Sequence, residues 1–142
     1  MPQAGELYHF PHYVFPDGGQ RNKFILLMGN TPSDDWILAR TTTKAQGRSQ
    51  NPPCYLGDPY PGFYIDKANG LLTQPTWIVL NRLDDYDARD FGAKTAQGQV
   101  TLVGKLPLNI FCQLLDCAVR AQDITKIQER VMRDLRAALG CE

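Results

Sequence analysis

Short apolar runs broken by turn residues fill the chain up to about residue 105, and apolar residues spaced three and four apart fill the rest. The first run, Leu7–Phe15, is interrupted by Pro11, which predicts a bent or edge strand followed by a turn at Pro16–Gly19. Lys23–Met28 (KFILLM) is too short for a stable helix and reads as a strand. Residues Gly29–Asp35 return the chain, and Trp36–Thr43 (WILARTTT), rich in β-branched and aromatic side chains, supplies the partner of a hairpin. Residues 44–62 hold four prolines, three glycines and no periodicity, which predicts a long surface excursion. Strands at Phe63–Asp66, Thr76–Arg82 and Gln99–Val103, with a turn at Ala68–Gly70, complete the sheet.

Beyond Pro107, the positions Leu108, Phe111, Leu114, Leu115, Ala118 and Val119 trace one face of a helix. A second helix begins at Asp123 or Thr125, where Thr125 and Gln128 fit a capping box, and its stripe runs through Ile127, Val131, Leu135 and Leu139 to Gly140. The expectation is an α+β chain, mostly β with C-terminal helices: a small, strongly curved antiparallel barrel with helices on one side. A single domain is expected over 1–142, with the barrel over about 5–104 and the helices over about 107–140. The two helical stripes exceed what so small a barrel covers, which predicts a two-fold homodimer.

Fifteen basic and fifteen acidic residues cancel, so bulk charge gives no hold on nucleic acid or membrane, and any phosphate recognition must be local. The segment MPQAGELYHFPHYVF has no basic cluster ahead of an apolar run and reads as neither signal nor transit peptide. The longest apolar stretch, Phe24–Met28, is far below bilayer-spanning length. A soluble, cytoplasmic protein without membrane partners is expected. Of the four cysteines, Cys112 and Cys117 sit at C-x4-C spacing inside an apolar pattern and read as buried thiols.

Charge is lopsided in one place. Arg40, Lys44 and Arg48 lie between Trp36 and Pro53 with no acidic residue among them beyond that tryptophan, Arg21 and Lys23 enter the preceding strand, and Thr41–Thr43 adds hydroxyls. Such donors suit a phosphate, although a threonine-rich strand flanked by solvated charges accounts for the same pattern. The densest carboxylate cluster, Asp84, Asp85, Asp87 and Asp90, follows an apolar strand directly and lacks the glycine and terminal glutamate of a calcium loop. It reads as a turn or a helix cap, and no metal or other cofactor is implied.

In order, GGQRNKFILLMGN, WILARTTTK, FYID, NGLL, PTWIVLNRLDDYD and the apolar helix after GKL resemble the MazF/PemK/Kid family of toxin ribonucleases, over roughly residues 18 to 119. The resemblance implies an SH3-like barrel with appended helices, and an endoribonuclease that cuts single-stranded RNA without metal, using the 2′-hydroxyl as nucleophile. It implies a homodimer silenced by an antitoxin protein. The family's loop arginine falls on Arg21 and its strand-end threonine on Thr42, with Thr41 beside it. Asn22 stands where the family has proline.

Attack by a 2′-oxygen builds negative charge on the phosphate, which a guanidinium and a hydroxyl stabilise. Arg21 and Thr42 suit that role, and arginine is too basic to take a proton at neutral pH. His12 is the candidate base because imidazole titrates near neutrality, and His9 is a weaker one. Arg40, Lys44 and Arg48 are candidate phosphate contacts. Tyr55 and Tyr60, beside Phe63, offer either stacking faces for unpaired bases or a lid over the barrel. The alternative from another class is an SH3-like module that binds nucleic acid or protein and breaks no bonds.

Overall fold

A computed structural model describes residues 2–14 and 19–141, the side chains of Gln20 and Arg21 excepted. The strands are β1 (Glu6–Val14), β2 (Gln20–Asn30), β3 (Asp35–Thr42), β4 (Cys54–Tyr55), β5 (Gly62–Ile65), β6 (Thr76–Val79), β7 (Asp84–Asp87) and β8 (Thr101–Lys105). The helices are α1 (Ala88–Ala96), α2 (Leu108–Ala118) and α3 (Lys126–Leu139). The sheet runs β4-β5-β6-β3-β2-β1-β8, with β7 added beside β3, and every pairing is antiparallel. This is the expected α+β arrangement: a curled half-barrel carrying helices.

The continuous apolar run in β2 follows from burial on both faces. Leu26 and Met28 pack with Phe111, Leu114, Leu115 and Met132 beneath α2 and α3. Ile25 and Leu27 face the other way, onto Tyr8, Phe10, Leu38 and Phe91. Two covered faces remove the need for polar alternation. In β1 the register steps from Phe10 opposite Lys23 to Tyr13 opposite Arg21, so Pro11 and His12 form a bulge. A bulge is where a strand tolerates proline, and it supplies the expected bend. The turn expected at Pro16–Gly19 lies, Gly19 apart, outside the described residues.

The two late helices form as the pattern predicts. Thr125 Oγ1 accepts the Gln128 amide at 3.0 Å, and Gln128 Oε1 accepts the Thr125 amide at 3.0 Å. The buried Gln128 also donates through Nε2 to Leu83 O at 3.1 Å and Asp85 Oδ1 at 3.0 Å, which ties α3 to the start of β7. The α2 stripe is covered within the chain, with Phe111, Leu114, Leu115, Ala118 and Val119 buried and Leu108 exposed, whereas on α3 the expected Val131, Leu135 and Leu139 are half-buried, Ile127 is exposed, and Met132 is the buried apolar side chain.

Two features depart from the expectations. The acidic stretch forms strand β7 against the first half of β3, and α1 follows it, capped by Asp87, whose Oδ1 accepts the amides of Arg89 and Asp90. The cap was expected and the strand was not. Cys112 and Cys117 are not thiols: Cys54 is bonded to Cys117 and Cys112 to Cys141. The helical spacing correctly implies burial for Cys117, whereas Cys112 is half-buried, and their partners lie in the long loop and past the end of α3, where spacing along the chain carries no signal. Among the described residues, no helix is long and apolar enough to cross a membrane.

Candidate functional site

β3 changes partners along its length. Arg40 lies opposite Ile25 of β2, while Thr41 and Thr42 pair with Ile78 and Trp77 of β6. Where these strands diverge, a pocket of about 180 Å³ opens, lined by Lys23, Arg40, Thr42, Arg48, Tyr60 and Asn81 among others. Among the described residues, three cationic side chains and no carboxylate line it.

Arg48 is only 6% exposed. Its Nε donates to Pro61 O at 3.3 Å, and Nη1 donates to Lys44 O at 3.1 Å. Tyr60 lies across the guanidinium, 5.3 Å from ring centroid to Cζ. Burial lowers the pKa of Arg48 from its ordinary value, yet neutral carbonyls and a ring face, rather than a carboxylate, surround the charge. A cation held this way retains its attraction for an incoming anion. Arg40 is steered by Asp84, whose Oδ2 lies 3.8 Å from Arg40 Nε and whose Oδ1 accepts from Arg82 Nε at 3.1 Å. Tyr13 donates its hydroxyl to the same carboxylate.

The threonines divide the work. Thr41 is buried and donates its hydroxyl to Phe24 O at 2.9 Å, so it braces β3 against β2. Thr42 Oγ1 accepts the Lys44 amide at 3.2 Å, which leaves its own proton available to donate. Lys23 Nζ reaches Thr41 O at 3.4 Å.

Lys23, Thr41 and Thr42 also form one wall of a larger cleft of about 570 Å³, which continues past Lys44 to the segment Leu71–Gln74 and Val103. The pockets are thus adjacent, with a common rim of hydroxyl and ammonium groups.

Among the expected site residues, the structure gathers Arg40, Thr41, Thr42, Arg48 and Tyr60 around the small pocket and places Lys44 on the rim of the large one. The backbone of Arg21 sits on β2 opposite Tyr13, and its side chain lies outside the described residues. His12 is exposed on the β1 bulge at φ 63° and lines neither pocket. His9 stacks on Phe24 with ring centroids 5.2 Å apart. Tyr55 packs over Gly57, where a methyl group would meet its ring, and lines neither pocket. Phe63 is a core residue.

The long loop is folded down at its start, where Trp77 Nε1 donates to Ser49 O at 3.0 Å, and Tyr60 remains 38% exposed over Arg48. Sequence reasoning noted Lys23 without assigning it a role, because its neighbours are apolar. It missed Asn81, whose Oδ1 is buried with no hydrogen-bond partner among the described residues. It also did not bring Leu71–Gln74 to the site, although Leu71 and Leu72 belong to the NGLL stretch of the resemblance. The four aspartates are each engaged locally: Asp84 with Tyr13 and two arginines, Asp85 with Gln128, Asp87 as a cap, and Asp90 with Tyr86 and Lys94.

No protein-family profile, curated protein or solved structure matches this chain.

Proposed function

We propose that the protein is a metal-independent, toxin-type endoribonuclease that cleaves single-stranded RNA by attack of the 2′-hydroxyl, with the scissile phosphate seated in the small pocket. The observation that carries this reading is the convergence of Lys23, Arg40 and Arg48 with the Thr42 hydroxyl around a pocket that, among the described residues, no carboxylate lines. In the cleavage step the 2′-oxygen bonds to phosphorus and the 5′-oxygen leaves, giving a cyclic phosphate and a 5′-hydroxyl. The extra negative charge falls on the non-bridging oxygens, where preorganised cations and a hydroxyl lower the barrier most.

Thr42 donates to one such oxygen, while Arg40 and Arg48 neutralise the group. Arg21, two residues from Lys23 along β2, is assigned to the same developing charge, and His12 on the neighbouring strand to proton removal. Thr41 holds the strands together. The reading carries a homodimer, an antitoxin protein that covers the site, and action in the cytoplasm.

Purified protein is expected to cleave single-stranded RNA in excess chelator, and Thr42→Ala or Arg21→Ala to lower turnover by about 10²–10³. Unchanged cleavage in both variants refutes the assignment. One observation favours the second reading, a binding module: neither histidine lines either pocket, so the lining itself offers no group that titrates near neutrality. That reading predicts RNA shifted intact, with an affinity that falls steeply with salt.

A further inference from the structure

The large cleft has chemistry that the phosphate pocket does not use. Its apolar surfaces come from Phe24, Leu71, Leu72 and Val103, and its rim carries the amides of Asn22 and Gln74. Among the described residues, no carboxylate lines it. A volume of about 570 Å³ lies in the range typical of sites for small organic ligands, roughly 300–1,000 Å³. Lys44 and threonine hydroxyls line the cleft as well, and the four apolar side chains supply a face for a flat heterocycle that a second phosphate would leave unused. Its shape depends on Leu71 lying flat against β8, because a methyl group on Gly104 would sit 2.5 Å from Leu71 Cδ2.

The wall formed by Lys23, Thr41 and Thr42 belongs to both pockets. A ligand filling both must therefore carry a phosphate joined to a planar group a few ångströms away. That description fits a nucleotide. We infer that the large cleft binds the base of the nucleotide adjoining the scissile phosphate in an RNA strand, and that the side-chain amides of Gln74 and Asn22 read the base edge. This rests on the phosphate site proposed above and adds the source of sequence preference. A side-chain amide presents a donor and an acceptor side by side, so it matches the hydrogen-bonding edge of one base and mismatches others. Gln74 and Asn22 are exposed at the rim.

Calorimetric titration of the protein with the four ribonucleoside 5′-monophosphates, ribose 5-phosphate, inorganic phosphate and short oligoribonucleotides tests this. One nucleotide is expected to bind about tenfold or more tighter than ribose 5-phosphate, the discrimination typical of one good base-edge contact. Gln74→Ala should abolish that preference and leave inorganic phosphate binding unchanged. Gly104→Ala, by pushing Leu71 into the cleft, should weaken nucleotides but not inorganic phosphate.

Equal binding of all four nucleotides and ribose 5-phosphate overturns the base site while the phosphate site stands. A preference that survives Gln74→Ala overturns the role of that residue. An oligoribonucleotide that binds no tighter than the best mononucleotide overturns the assignment to an RNA strand in favour of a free nucleotide. Failure of inorganic phosphate to bind removes the phosphate site and, with it, the ground for the reading of the large cleft.

Discussion

Gly62 lies directly against Arg48: a methyl group on Gly62 would sit 2.7 Å from Arg48 Cδ and 2.8 Å from its Nε. The guanidinium reaches the small pocket because the β-strand beneath it carries no side chain at this position. Gly62 stands in β5 opposite Val79, so the close approach is built into the sheet.

Gly62→Ala is therefore expected to displace Arg48 rather than to strain the backbone. Overpacking of this kind costs about 1–3 kcal/mol, and the Pro61 and Lys44 carbonyls lose their donor. Thermal melts should show the destabilisation, and calorimetry should show weaker binding of inorganic phosphate. An unchanged phosphate affinity would mean that Arg48 holds the loop and does not serve the site.

Asp84 joins the site to the second core. Its carboxylate takes Tyr13, Arg40 and Arg82 together, and its side chain is only 16% exposed. Asp84→Ala removes the carboxylate that accepts from the Tyr13 hydroxyl and steers Arg40. A loss of about 1.5–3 kcal/mol is expected for a hydrogen bond to a charged group, with weaker phosphate binding alongside it. Asp84→Asn, which still accepts from Tyr13, should recover much of the stability but less of the binding.

The same contact gives an alkaline signature. Burial first, then the hydrogen bond to Asp84 and that carboxylate's charge, lift the Tyr13 phenol far above its ordinary value of 10.0. Tyr8 and Tyr86 are raised by burial and by Glu6 and Asp90 respectively. A group whose folded pKa is raised contributes stability that is whole below its unfolded pKa and is lost as the pH climbs past it. Unfolding is thus expected as the pH rises above about 10, with tyrosinate absorbance and loss of structure coinciding. Tyr13→Phe, which cannot ionise, should shift the alkaline midpoint upward, and a midpoint that does not move counts against the coupling.

The sequence makes the β2–β3 hairpin visible because KFILLM and WILARTTT are apolar or β-branched throughout, and it makes α3 visible because Thr125 and Gln128 mark its start. It hides β7, since an Asp-Asp-Tyr-Asp strand has no apolar face and forms only because the first half of β3 needs a partner. It hides α1 because Phe91 is its only buried residue. Around the site, Thr42, Arg40 and Arg48 stand out as basic or hydroxyl groups in a segment otherwise free of acids. Lys23 and Asn81 look like the ends of apolar strands, and only the three-dimensional register brings them to the pocket.

The disulfides supply the last test, because they connect the site to redox conditions. Cys54–Cys117 fastens the long loop, which carries Arg48 and Tyr60, to α2, and Cys112–Cys141 fastens α2 to the end of α3. The loops they close span 63 and 29 residues. Cross-links of that length stabilise by about 2–4 kcal/mol each, chiefly by restricting the unfolded chain. Reduction by dithiothreitol is expected to lower the thermal midpoint markedly. The paired variant Cys112→Ser with Cys141→Ser should lose stability but keep its affinity for inorganic phosphate. Cys54→Ser with Cys117→Ser should lose both, because the loop that holds Arg48 is then tethered at fewer points. If this second variant binds phosphate as well as the unaltered protein, the contacts from Arg48 to Pro61 and Lys44 and from Trp77 to Ser49 are sufficient to hold the loop in place.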